Sequence, residues 1–173
     1  MPSRFLARAV AVLLLAHGPG LSAAAATPAE LAIKAAYLFN FALYTEWPTP
    51  PVDAVGICIA GPDPFGSALD AIAGKPLRGK PLIIHRLENS VDFSGCHVVY
   101  VNAASNAQRA RIARALDQKP VLSVADSADE AFRPMVLLVP DGNRFAFEVE
   151  LAVAKTTGLT LGSQMLRLAR VVR

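Results

Sequence analysis

Apolar residues follow two rhythms along this chain. In the stretch 31–48, LAIKAAYLFNFALYTEWP, Ile33, Tyr37, Phe41 and Tyr44 recur at helical spacing. Leu31, Ala35, Leu38, Ala42 and Leu43 widen the apolar arc, which predicts a helix buried on more than one side. Helix-forming residues run from Ala29 until Pro48 stops them. Thr27 is placed to cap this helix, Pro28 suits its first position, and Glu30 completes a capping box. Lys34, Asn40 and Glu46 interrupt the run, so it reads as a core helix and not as a membrane span. Its far end carries a second reading, because Tyr44 and Trp47 are residue types that favour partner-docking surfaces.

The second rhythm is that of short, mostly continuous apolar runs. AVGICIA at 54–60, PLIIHRL at 81–87, CHVVYVN at 96–102 and PVLSVA at 120–125 read as buried strands bounded by Gly, Pro and polar turns. Between them, residues 64–73 predict a helix capped by Asp63, and residues 103–117 predict another capped by Asn102 or Ser105. Residues 135–139 and 144–149 flank the turn signal Asp141-Gly142 and form a hairpin. RFAFEVE alternates, placing Phe145, Phe147 and Val149 on one face of a half-covered strand near the sheet edge. A helix at 151–156, a break at Gly158 and a last helix at 163–172 complete the pattern. Strands alternating with helices predict an α/β fold: a single three-layer domain, a mostly parallel sheet with a C-terminal antiparallel hairpin, and helices on both faces.

Composition alters this picture at the N-terminus. Arg4 and Arg8 precede an apolar run at 9–16, a break at 17–20 and the small residues Ala24, Ala25 and Ala26. That is the layout of a secretory signal peptide over residues 1–26, with cleavage near Ala26, the domain being residues 27–173. Its removal takes away two Arg and no acid, leaving 15 Lys and Arg against 14 Asp and Glu, so the net charge falls from +3 to about +1. No dense basic run remains, which argues against nucleic acid as a partner. In an exported protein the two cysteines, Cys58 and Cys96, read as one disulfide, with a pair of buried free thiols as the alternative. A metal site is a poorer reading, since the mature chain offers only His85 and His97 beside them.

Candidate chemistry is sparse. The chain lacks the G-x-S-x-G, G-x-G-x-x-G, phosphate-loop and H-E-x-x-H patterns, and no cofactor is implied. His85 and His97 lie inside predicted strands and read as packed residues. Asp63 and Asp126 each follow a strand, which places both at the carboxyl edge where α/β sheets bind ligands, although caps and turns use the same residues there. Asn102 and Asn106 fall at a comparable edge. Lys75, Arg78 and Lys80 cluster in a turn, either as a solvated loop or as an anion or partner contact.

Three ordered stretches carry a family resemblance. AIKAAYLFNFALYTEWP at 32–48 resembles the opening of the YfiR family (the DUF4154 domain), whose pattern is roughly KAAFLYNFAKFVEWP. ICIAGPDPFGSALDAIAGKPLRGKPL at 57–82 and GCHVVYV at 95–101 are similar to further family segments, as is the C-terminal stretch from Glu150 onward. The resemblance implies a periplasmic α/β domain, without enzymatic activity and in several members a homodimer. It implies a regulator that binds the periplasmic part of a membrane-bound diguanylate cyclase and represses it, lowering cyclic di-GMP and with it biofilm and exopolysaccharide output. On this reading the chain resembles the stand-alone repressor type, and Cys58 and Cys96 fall on the family's strand cysteines. The founding repressor's second cysteine pair has no counterpart here, so a redox response resting on that pair is not expected. A different class of function stays beside it: a periplasmic small-molecule sensor, binding at the edge near Asp63 and Asp126 and acting on a membrane kinase or other receptor.

Overall fold

A computed structural model of the chain describes residues 26–142 and 144–173. Apart from Ala26, the signal peptide expected at 1–26 lies outside them.

The first helix, α1 (Pro28–Leu43), starts as its sequence dictates: the Thr27 hydroxyl accepts from the Glu30 N–H while the Glu30 carboxylate accepts from the Thr27 N–H. It ends four residues earlier than the run of helix formers suggests, with Tyr44 as its C-cap. The next two residues form β1 (Thr45–Glu46), which pairs antiparallel with β9 (Thr160–Leu161). Thr45 is fully buried and its hydroxyl donates to the Phe41 carbonyl at 2.7 Å, so the chain leaves the helix through a satisfied turn. The buried stripe of α1 is Lys34, Ala35, Leu38, Phe41 and Ala42, whereas Ile33 is 41% exposed. The helix is therefore rotated by about one position from the predicted Ile33-Tyr37 face, and a lysine occupies the core side.

The strands follow: β2 (Val55–Ala60), β3 (Pro76–Leu77), β4 (Lys80–Arg86), β5 (Val98–Val101), β6 (Leu122–Ala125), β7 (Val136–Asp141), β8 (Arg144–Val149) and β10 (Val171–Val172). They form one eight-stranded sheet in the order β10-β8-β7-β6-β5-β2-β4-β3. β4, β2, β5, β6 and β7 are parallel neighbours, and β7–β8 is the antiparallel hairpin. All residues of β2, β5 and β6 are buried, as expected of strands covered on both faces. On one face Val55, Ile57, Ile59, Val98, Tyr100, Leu122 and Val124 pack against α1 and α2 (Ser67–Asp70). On the other, Cys58, Ala60, Val99, Val101 and Ala125 pack against Ile112 and Leu116 of α3 (Asn106–Leu116), whose N-cap is Ser105. The three-layer α/β expectation holds.

Two helices differ from the pattern. The helix expected at 64–73 contracts to α2, because Gly66 takes φ +50° and becomes its N-cap; Asp63 instead accepts from the N–H groups of Phe65 and Gly66 in a turn. The last helix, after α4 (Leu151–Thr156), is α5 (Ser163–Leu168) and stops early. Val171 and Val172, β-branched and on the sheet side, instead extend the sheet parallel to β8.

Candidate functional site

The disulfide is present: Cys58 in the middle of β2 joins Cys96, just ahead of β5, with the Cα atoms 5.7 Å apart. It ties β2 to the segment that leads into its neighbour β5, on the α3 face. Backbone contact is closest at the same point, where a Cβ on Gly56 would stand 2.0 Å from the Gly95 carbonyl oxygen.

α1 connects opposite ends of the sheet, and the two predicted sites lie one at each end. At the carboxyl edge, Asp126 directly follows β6 and receives a salt bridge from Lys34 at 2.7 Å. The Lys34 ammonium also sits 4.9 Å from the centroid of the Phe145 ring. Its side chain is 10% exposed, and that of Asp126 is 35% exposed. The Tyr100 phenol, from β5, is buried beside the same carboxylate. Burial pushes the Asp126 carboxyl up, but the Lys34 ammonium together with Tyr100 outweighs it and holds the acid below its ordinary value. Burial, reinforced by the Asp126 charge, pushes the Tyr100 phenol up, so it stays a neutral donor.

Asp63 belongs to a different cluster. Its carboxylate receives the Arg86 Nε–H at 2.7 Å, and Arg86 also reaches Asp70 at 2.8 Å. These two pairings raise the Arg86 guanidinium above its ordinary value. Asp63 follows β2 and Asp126 follows β6, with β5 between, so the two acids do not share a site. The reversal of winding between β2 and β5, where such sheets open a crevice, is stitched shut: Asn102 donates through Nδ2 to the Pro62 carbonyl at 2.8 Å and through its backbone to Ala60 at 2.9 Å. Asn106 is the first residue of α3 and receives Arg109 at 2.6 Å. A cavity of about 380 Å³ opens at this edge, lined by Gly61, Pro62, Asp63, Arg86, Glu88 and Asn89.

At the amino edge, Trp47 is 8% exposed and its Nε1–H donates to the His97 carbonyl at 3.2 Å. The two rings meet edge-on at 5.4 Å. His97 accepts the Gly56 N–H at Nδ1, and burial holds its imidazole below the ordinary value. Tyr44 is half-buried at the C-cap of α1, where its carbonyl accepts the Gly162 N–H at 2.7 Å. A cleft of about 340 Å³ opens here, bounded by Trp47, Pro50, Pro51, Val55 and Leu77, with Glu46, Arg78 and Lys80 at its walls.

The sequence places Asp63 and Asp126 at the carboxyl edge of the sheet and Tyr44 and Trp47 at the far end of the first helix; it does not single out Lys34, Tyr100 or Arg86. The signal for Lys34 was present: a cation among apolar residues on a core helix requires a partner. Among the described residues no group of three or more His, Cys, Asp or Glu is placed to hold a metal ion, and no helix is long and apolar enough to cross a membrane. A comparison with curated proteins finds no match. A family model described as YfiR/HmsC-like (DUF4154) matches residues 31–170, from the first turns of α1 to the last strand's approach, and with that the chain belongs to the YfiR/HmsC-like family.

Proposed function

We propose that this chain is a periplasmic repressor. It docks on the periplasmic part of an inner-membrane diguanylate cyclase, holds the enzyme inactive and so lowers cyclic di-GMP, biofilm and exopolysaccharide output. The observation that carries this reading is the family match over residues 31–170, a family that is regulatory and not catalytic. The disulfide supports the compartment, since such bonds persist in oxidising surroundings. The chemistry agrees: Asp63 and Asp126 are each held by a cation in separate clusters, an arrangement suited to holding a fold and not to proton transfer. The chain acts as a homodimer without a cofactor, and repression follows if the dimer binds the inactive state of the cyclase more tightly than the active one.

Deleting the gene in the native host tests the reading. Cyclic di-GMP and surface attachment should rise, and should return to the starting level when the chain is supplied with its signal peptide. An unchanged cyclic di-GMP level would sink the proposal. A sensor of small molecules remains the second reading, favoured by the open cavity beside Asp63 and Arg86. Thermal-shift screening separates the two, because a ligand-dependent shift abolished by Asp63→Ala belongs only to the sensor.

A further inference from the structure

The amino-edge cleft has a composition that the repressor reading does not use. Its walls are an indole, two prolines, a valine and a leucine, and its volume of about 340 Å³ falls in the range of small-molecule sites. The indole is fixed before any ligand arrives, by its hydrogen bond to His97 and the edge-on contact with that ring. Preorganised aromatic walls reduce the ordering cost of binding.

Two cations border this apolar space. Arg78 donates through Nη2 to the Leu43 carbonyl at 2.6 Å, at the end of α1. Lys80 donates to the Val52 carbonyl and so ties down the 49–54 loop, which forms the outer wall. Among the described residues neither cation has a carboxylate within salt-bridge distance, so both charges that border the apolar space are free to meet an anion. Each keeps unused N–H donors. Glu46 brings a single opposing charge, so the cleft is cationic overall. Arg78 is also held at φ +52°, followed by Gly79 at φ +81°, in the two-residue turn between β3 and β4. Positive φ at both positions is what a two-residue hairpin turn requires, so the turn fixes the backbone from which Arg78 and Lys80 reach the cleft.

We infer that the Trp47–Arg78–Lys80 cleft binds a small apolar carboxylate, with its hydrocarbon or aromatic body against Trp47, Pro50 and Leu77 and its anionic group on Arg78 and Lys80. The site is separate from the carboxyl-edge cavity at Asp63 and does not depend on the cyclase partnership.

The single tryptophan of the chain lines the cleft, so its fluorescence reports occupancy directly. The oxidised protein is titrated with phenylacetate, with its neutral isostere phenylacetamide and with the cation phenethylamine. Phenylacetate should give a saturable change in Trp47 emission, with an affinity at least about tenfold above that of the amide and with no response to the amine. Lys80→Gln and Arg78→Gln should each weaken phenylacetate about tenfold and leave the far-ultraviolet circular dichroism unchanged. Arg78 also closes α1, so the comparison of the three probes on the unaltered protein decides the matter if that variant unfolds. No saturable response to phenylacetate, or equal binding of acid and amide, overturns the assignment.

Discussion

The Lys34–Asp126 pair makes an asymmetric prediction. Both side chains are removed from water to different degrees, 10% exposed for the lysine against 35% for the aspartate. Replacing Lys34 by methionine keeps the apolar stem and leaves a carboxylate that water reaches. Replacing Asp126 by asparagine leaves an ammonium that water barely reaches, with only a neutral acceptor and the Phe145 face to hold it. The full cost of breaking a buried pair, about 3–5 kcal/mol, applies where the stranded charge stays dry. Asp126→Asn should therefore cost about 2–3 kcal/mol, the amide recovering part of the hydrogen bond. Lys34→Met should cost about 1 kcal/mol or less, since the stranded carboxylate rehydrates and the methionine packs. Chemical denaturation of both single variants and the double variant at neutral pH measures these values and their coupling. In thermal terms Asp126→Asn should lower Tm by roughly 5–10 °C. If Lys34→Met is the more damaging substitution, or the double-mutant coupling is zero, the assignment of this pair as a burial-driven tether of α1 to β6 is wrong.

Other consequences follow from the same geometry. Removing the disulfide by Cys58→Ala with Cys96→Ala should destabilise by about 4 kcal/mol on the chain-entropy argument, given the separation of 38 residues, and denaturant melts of the oxidised protein and the variant measure it. Gly56→Ala drives a Cβ to within 2.0 Å of the Gly95 backbone, so it should cost several kcal/mol, roughly the scale of severe core overpacking or more, seen as a loss of soluble, cooperatively melting protein. His97 accepts from Gly56 as the neutral imidazole, and its folded value lies below the ordinary 6.5. The unfolded chain therefore binds this proton first: the His97 contribution is fully present above pH 6.5 and declines as the pH falls below it, and His97→Gln should flatten that part of the stability–pH curve.

Most of the strand layout was legible because each central strand is a short apolar run that the fold covers on both faces. VGICIA and VVYV are buried at every position, so burial and sequence carry the same message. The ends of the helices were not legible, for reasons of distant pairing. Thr45 and Glu46 have no local reason to leave the helix; their partners are Leu161 and Thr160, far along the chain. Val171 and Val172 continue an apolar helical pattern, yet β8 offers a free edge to β-branched residues. The rotation of α1 has the same origin. Periodicity places Lys34 outside, and only Asp126, 92 residues away, brings it in. At the candidate sites, residue type located Asp63 and Asp126 at the right edge. It did not reveal that separate cations, Arg86 and Lys34, hold them apart. Residue type marks Trp47 as a docking residue; its indole lies mostly within the fold and lines a cleft.

The proposed repressor acts by holding a membrane cyclase inactive. The most direct measurement is capture of inner-membrane proteins from the native host with the oxidised, folded protein as bait. A repressor of this kind should recover a diguanylate cyclase through its periplasmic domain and lower its cyclic di-GMP synthesis when the purified protein is added. Recovery of no cyclase, or a cyclase whose rate is unchanged by saturating protein, would contradict it.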